Sequence, residues 1–84
     1  MRKVTYKLVD KYDRAKYIGT TNNPWRRNQE HSDSGKSYTK LVVTSGRLPK
    51  QEAERREARN IRSYKNATGR RPRYNQTSDG RFSY

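Results

Sequence analysis

A chain of 84 residues of which only 27% are hydrophobic has room for one small domain with a modest core. Lys and Arg outnumber Asp and Glu by 21 to 8, and the resulting net charge of +13 favours polyanionic partners. The absence of cysteine excludes disulfide scaffolds, thiolate metal sites and cysteine nucleophiles, and the single histidine excludes a multi-histidine metal site.

Nucleic acid is the polyanion that this composition fits best. Arginine dominates the basic residues, and its guanidinium can hold two phosphate oxygens at once. A membrane-spanning helix needs roughly 20 consecutive apolar residues, whereas the longest apolar run here is Leu41-Val42-Val43. No N-terminal stretch resembles a signal peptide, and the Arg-rich helical segment lacks a bulky apolar face. We therefore expect a cytoplasmic protein that binds DNA or RNA, and no membrane.

The start of the chain predicts a β-hairpin. Residues 3–9 alternate roughly between apolar and polar types and are rich in strand formers, which places Val4, Tyr6 and Leu8 on one face. A polar turn follows, and residues 15–20 have the composition of the returning strand.

Two helices and a third strand are predicted downstream. A cap at Asn23 and the proline after it predict a helix over residues 24–31. Residues 38–44 predict the third strand, and a second proline opens a helix over about residues 49–64. Four residues of that second helix recur at the spacing of one face and should point inward: Ala53, Glu57, Ile61 and Tyr64.

The predicted order is strand, strand, helix, strand, helix, and then an extended end. This order indicates an α/β fold of the α+β sandwich type, in which a small, mostly antiparallel three-stranded sheet is flanked by helices. Residues 1–75 should form the single domain, and residues 76–84 should form a loose tail.

An inward carboxylate on the second helix is the first unusual feature. Glu57 lies on the same predicted stripe as Ala53 and Ile61. A carboxylate in such a position is unfavourable unless it is paired or binds a metal. Two interpretations stay open on this pattern alone, a metal ligand and a structural ion pair with a buried Arg.

Basic residues at helical spacing are the second unusual feature. Arg27 and His31 are four residues apart and share a face of the first helix, an arrangement that suits anion binding. Arg26 and Glu30 have the same spacing and should form a surface ion pair. Taken alone, a solvated basic face is the simpler interpretation.

Tyrosines on neighbouring strands are the third feature. A phenol close to a positive charge and a metal can share its proton more readily, and it can then orient or deprotonate a water molecule. Tyr6 and Tyr17 could equally be strand aromatics of a small core, since the chain contains seven Tyr.

Two strand motifs carry a family resemblance. Val4-Thr5-Tyr6 and Tyr17-Ile18-Gly19 resemble the two motifs that name the GIY-YIG nuclease family, known from homing endonucleases and excision-repair nucleases. The second motif is intact, and the tyrosines are 11 residues apart, as in the family. In the first motif Val4-Thr5 replaces Gly-Ile, and the threonine occupies an apolar strand position.

The resemblance extends over residues 3–75. A Thr-Asn-rich turn leads to a helix with Arg27 and His31, where the family has an essential Arg and a frequent His. Ala53 and Glu57 match the family's later helix with its metal-binding Glu. The family's terminal motif is matched by Pro72-Arg73-Tyr74-Asn75.

This resemblance implies hydrolysis of a phosphodiester bond with one divalent metal, Mg²⁺ or Mn²⁺. Glu57 would be the only protein ligand of that metal, and Arg27 would hold the scissile phosphate. Tyr6 would activate water, directly or with Tyr17 or His31. Asn75 would support the site from the end of the domain.

Further cations should neutralise backbone phosphates without reading base sequence. These residues are Arg26, Arg55, Arg56, Arg59, Arg62, Arg70, Arg71 and Arg73. We expect DNA as the substrate, with RNA as an alternative, and a homodimer or a partner protein that supplies site specificity. Small free-standing members of the family resemble phage or mobile-element proteins, which is the origin that we expect here.

Three other functions stay open. The chain could be a catalytically inactive nucleic-acid-binding relative of the nucleases. It could be a basic RNA- or protein-binding module that folds on contact, as its low hydrophobic content permits. A role at an anionic membrane surface is the third.

Overall fold

The computed structural model describes residues 2–75, and the predicted tail over residues 76–84 lies outside them. The elements occur in the order β1 (Arg2–Val9), β2 (Ala15–Thr21), α1 (Pro24–Asp33), β3 (Lys40–Val43), β4 (Leu48–Pro49) and α2 (Lys50–Thr68). The predicted α+β class and the order of the five predicted elements are confirmed. The two-residue strand β4 was not predicted.

The sheet is antiparallel, with the order β2-β1-β3, and β4 pairs with the first residues of β1. Tyr6 lies opposite Gly19, and Leu8 lies opposite Tyr17. Directly opposed residues share a face of an antiparallel pair, so both tyrosines lie on the same face. Tyr6, Leu8 and Tyr17 form the buried core cluster of that face.

Thr5, the middle residue of the first motif, is buried in β1 and makes polar contacts there. Thr5 is 1% exposed, and its hydroxyl forms a 2.8 Å hydrogen bond with the hydroxyl of Thr44. Its backbone N–H donates to Ser45 Oγ at 3.0 Å. Burying this threonine therefore leaves no hydroxyl without a partner, and the departure from the family motif is compatible with a packed strand.

Strand β3 is shorter than predicted. It covers Lys40–Val43 rather than residues 38–44, although the N–H of Thr39 still donates to the carbonyl of Val9 at 2.7 Å. Tyr38 instead reaches α1, where its hydroxyl bonds the carbonyl of Asn28 at 2.9 Å. This contact ties the loop before β3 to the first helix.

Helix α1 begins as predicted. The side chain of Asn23 accepts a hydrogen bond from the N–H of Arg26 at 3.1 Å, and Pro24 occupies the first turn. The helix runs two residues past the predicted end, to Asp33. His31 is its buried residue, and its contact with Tyr6 places α1 on the tyrosine face of the sheet.

Helix α2 starts after Pro49 and extends to Thr68, beyond the predicted end near residue 64. Gly69 ends it in the left-handed conformation, with φ of 84°, which glycine adopts without strain. The predicted inward stripe is confirmed, because Ala53 is fully buried and Glu57, Ile61 and Tyr64 are half-buried. No helix within residues 2–75 is long and apolar enough to cross a membrane.

Candidate active site

A tyrosine–histidine pair lies at the centre of the candidate site. The Tyr6 hydroxyl is 2.7 Å from His31 Nε2, and both side chains are almost fully buried. Burial, followed by the positive charges of Lys36 and Arg27, lowers the pKa of His31 to about 4. His31 is therefore neutral at neutral pH, and its unprotonated ring nitrogen can accept a proton.

The Tyr6 phenol is held in its protonated form. Burial raises its pKa well above the usual value, and the neighbouring Tyr17 phenol and the Glu57 carboxylate act in the same direction. The Arg27 guanidinium opposes this shift. The charges of Arg27 and Glu57 therefore both act on the Tyr6 hydroxyl.

Tyr17 and Gly19 complete the strand side of the site. The ring of Tyr17 lies 6.0 Å from that of Tyr6 and 4.9 Å from that of His31, measured between centroids. A Cβ atom added at Gly19 would stand 2.7 Å from Tyr17 Cε2 and 2.9 Å from the Tyr6 hydroxyl oxygen. The glycine of the second motif is therefore required for the two phenols to approach each other over the backbone.

Arg27 lies on the same helix as His31, one turn earlier. It is half-buried and forms an ion pair with Glu30 at 3.3 Å. The predicted pair between Arg26 and Glu30 is present but longer, at 3.9 Å. Glu30 is exposed, so these contacts are exchangeable surface interactions.

The Glu57 carboxylate is half-buried, and it has no counter-ion among residues 2–75. Burial, followed by the charge of Glu54, raises its pKa to about 7, while Lys3 acts in the opposite direction. No cation within residues 2–75 forms an ion pair with Glu57. This excludes, for those residues, the structural ion pair that the sequence left open. Glu57 is therefore a partly desolvated carboxylate whose charged form would be stabilised by a bound cation.

Asn75 attaches the end of the domain to the second motif. Its side-chain oxygen accepts from the N–H of Ile18 at 2.8 Å, and its side-chain nitrogen donates to the carbonyl of Ile18 at 3.1 Å. The N–H of Tyr74 donates to the carbonyl of Lys16 at 2.8 Å. Asn75 is thus a buried positioning residue for β2, between Tyr17 and Gly19, rather than a group that faces a substrate.

Replacing Asn75 with Ala is expected to destabilise the protein by about 1–3 kcal/mol, because the N–H and carbonyl of Ile18 would lose their buried partners. Urea unfolding of the variant measures this effect. Asn66→Ala, at an exposed position on α2, removes the same side chain and should change stability by less than about 0.5 kcal/mol. Equal effects of the two substitutions would contradict the positioning role.

The sequence did not indicate that Lys36 belongs to the site. Its Nζ atom lies 5.9 Å from the centroid of Tyr17 and 5.8 Å from that of Tyr74. Burial lowers its pKa, and Arg27 acts in the same direction. Lys36 lies in a loop, where no periodicity links a residue to a distant strand, so only the fold could reveal it.

The remaining predicted cations are mostly on the surface, and the comparatively buried ones are Arg56 and Arg71. The exposed residues of this group are Arg26, Arg55, Arg59, Arg62, Arg70 and Arg73. Trp25, also on α1, is 74% exposed, and an exposed indole beside guanidinium groups suits stacking against a nucleic-acid base. Trp25 is not among the residues predicted from the sequence, although its position directly before Arg26 is a usable signal.

The donor set of the described residues suits one hard cation. Among residues 2–75 no group of three or more His, Asp or Glu side chains is placed to hold a metal. A single carboxylate with open coordination positions is a common way for proteins to hold Mg²⁺, which keeps several waters and binds substrate phosphates. The unpaired Glu57 fits that role.

Comparisons of the chain with protein-family models, with curated proteins and with solved structures give no significant match. Membership of the GIY-YIG family therefore stays a prediction that depends on the motifs and on the geometry of the site.

Proposed function

We propose that this protein is a divalent-metal-dependent endonuclease of the GIY-YIG type that hydrolyses DNA phosphodiester bonds. The observation that carries the proposal is the buried Tyr6 hydroxyl, 2.7 Å from neutral His31 and under the influence of Arg27 and Glu57. An acid–base pair, a guanidinium and a carboxylate able to hold a metal can together catalyse phosphodiester hydrolysis.

Tyr6 and His31 would together remove a proton from the attacking water. The Tyr6 oxygen accepts the water proton while its own hydroxyl proton passes to Nε2 of His31, over the existing 2.7 Å hydrogen bond. The raised pKa of Tyr6 and the lowered pKa of His31 both oppose this transfer in the resting protein. A cation at the site would lower the pKa of the attacking water, and this would couple water activation to the presence of a cation.

Arg27 would bind the scissile phosphate and neutralise the charge that develops on it. Its half-buried position strengthens this interaction, because charges interact more strongly where water is partly excluded. Glu57 would hold the metal, which when bound supplies polarisation of the phosphate and stabilisation of the leaving oxygen. Tyr17 and Lys36 would border the phosphate site and keep the Tyr6 phenol in place.

Nicking of supercoiled plasmid DNA in the presence of Mg²⁺ tests this function. The wild-type protein should nick the plasmid, and EDTA should stop the reaction. Arg27→Ala should lower the rate by about 10²–10³-fold, the usual loss when one electrostatic donor to a transition state is removed. Arg14→Ala is the matched control, since Arg14 is an exposed cation in the turn between β1 and β2.

Arg14→Ala should keep most of the nicking activity. The proposal would be wrong if the wild-type protein bound DNA but never cleaved it with Mg²⁺ or Mn²⁺, in which case the chain is a nucleic-acid-binding protein. It would also be wrong if the Arg27 and Arg14 variants cleaved at equal rates.

A further inference from the structure

A polar cleft lies between α2 and the sheet, and it is bordered by Tyr6 of the tyrosine–histidine pair. Lys7 is paired with Ile18, and Tyr6 with Gly19. Since consecutive strand residues point to opposite faces, Lys7 and Ile18 face away from the tyrosine site. The cleft has a volume of about 430 Å³, within the size range of small-ligand pockets. Its lining includes Tyr6 together with the polar residues Thr5, Lys7, Arg56, Asn60, Ser63 and Tyr64.

The lining has the chemistry of an anion site. It contains two cations and several hydroxyl and amide groups, and no carboxylate is among the lining residues. A cleft with this composition offers hydrogen-bond donors and positive charge, and both favour a negatively charged ligand.

Four polar side chains of this cleft have no side-chain partner among residues 2–75. Lys7 and Arg56 are half-buried, and neither forms an ion pair or a hydrogen bond through its side chain with another residue of the described range 2–75. The same holds for the side-chain amide of Asn60 and the hydroxyl of Tyr64, also half-buried. Solvent reaches the polar atoms of these four groups, so they are available to hydrogen-bond a ligand that enters the cleft.

We propose that this cleft is a second anion site, which binds a phosphate ester between Lys7 and Arg56. Arg56 can hold two phosphate oxygens with its planar fork, and Lys7 adds a point charge. Asn60 and Tyr64 donate hydrogen bonds to further oxygens of the ligand. The site binds and does not cleave, and its probes are tested without metal, so its outcome is separate from that of the cleavage assay.

Phosphate esters can reach this cleft from two sources, a free mononucleotide or the backbone of a bound strand. Titration of the isotope-labelled full-length protein, in EDTA so that no cleavage occurs, distinguishes them. One arm uses adenosine monophosphate, and the other uses a short oligothymidylate without terminal phosphates. Backbone amide signals of Lys7, Ile18, Asn60 and Tyr64 should shift together in at least one arm, and that arm identifies the source.

Two charge-matched double variants decide whether the binding is local. Lys7→Gln with Arg56→Gln should weaken binding of the active probe at least about tenfold, a change of 1.4 kcal/mol. Lys11→Gln with Lys65→Gln removes the same charge at exposed positions outside the cleft, and should weaken binding less than about twofold.

The proposal is overturned if neither probe shifts the cleft amides of the wild-type protein. It is equally overturned if both double variants weaken binding to the same extent, because attraction to the overall positive charge would then explain the binding. The wild-type shift map gives a result even where a variant folds poorly.

Discussion

Replacing Glu57 with Gln is expected to reduce metal-dependent cleavage by at least about 10²–10³-fold, because the amide keeps the shape of the side chain but does not bind a hard cation as a carboxylate does. Plasmid nicking at saturating Mg²⁺ measures the loss. Glu52→Gln, at an exposed position on the same helix, is the control and should cleave normally. A Glu57→Gln variant that cleaves at the wild-type rate would remove Glu57 from the mechanism.

The same substitution should not destabilise the protein at alkaline pH. Because burial raises the pKa of Glu57 to about 7, the folded state binds the proton of this carboxyl more tightly than the unfolded state does. The stability that this group contributes is therefore present at acidic pH and is lost as the pH rises through about 7, the pKa of Glu57 in the folded state. Above about pH 8 the charged, unpaired carboxylate should be a net penalty, and Glu57→Gln should remove it.

Thermal unfolding at about pH 5 and about pH 8, with and without Mg²⁺, checks this dependence. When the pH is raised from the lower to the higher value, the unfolding midpoint of the wild-type protein should decrease by more than that of Glu57→Gln. Mg²⁺ should raise the wild-type midpoint at the higher pH and leave the variant unchanged. A variant that is clearly less stable than wild type at the higher pH would show that the carboxylate is already paired within the protein.

Gly19→Ala is expected to have the second large effect, on stability and cleavage together. The new methyl group would stand 2.7 Å from Tyr17 Cε2 and 2.9 Å from the Tyr6 hydroxyl oxygen. Tyr6 cannot move away without breaking its bond to His31. Overpacking of this kind costs about 1–3 kcal/mol, and the displaced phenols should lower the cleavage rate by more than the loss of folded protein explains.

Gly46→Ala is the matched control for this substitution, since no atom lies within 4 Å of the added methyl group. Its unfolding midpoint in urea should stay within about 0.5 kcal/mol of wild type, and it should cleave normally. Wild-type stability and activity in Gly19→Ala would show that the phenols are not held against this strand.

Local features made most of the fold predictable from the sequence. The Asn23 cap and the alternation in β1 act over a few residues, so each element could be recognised from its own segment. The end of α2 was missed although Gly69 marks it, because the polar residues before the glycine resemble a loop when read without the helix that carries them. Strand β4 has only two residues, too few to show a pattern.

Only part of the site could be predicted, because its contacts join residues that are far apart in the sequence. The contact between Tyr6 and His31 joins a strand to a helix 25 residues away, and only the motif resemblance linked them in advance. Lys36 reaches Tyr17 from a loop, and the cleft at Lys7 and Arg56 depends on how α2 crosses the sheet. Such placements follow from the register of the strands and the packing of the helix, which no single segment encodes.

Paramagnetic relaxation by Mn²⁺, recorded on the isotope-labelled protein, tests most directly whether one cation site unites these residues. At sub-stoichiometric Mn²⁺ the account predicts selective broadening of signals from Glu57, Tyr6, Tyr17 and Arg27, and loss of this effect in Glu57→Gln. Broadening centred on exposed carboxylates such as Asp33, or unchanged by Glu57→Gln, would contradict it.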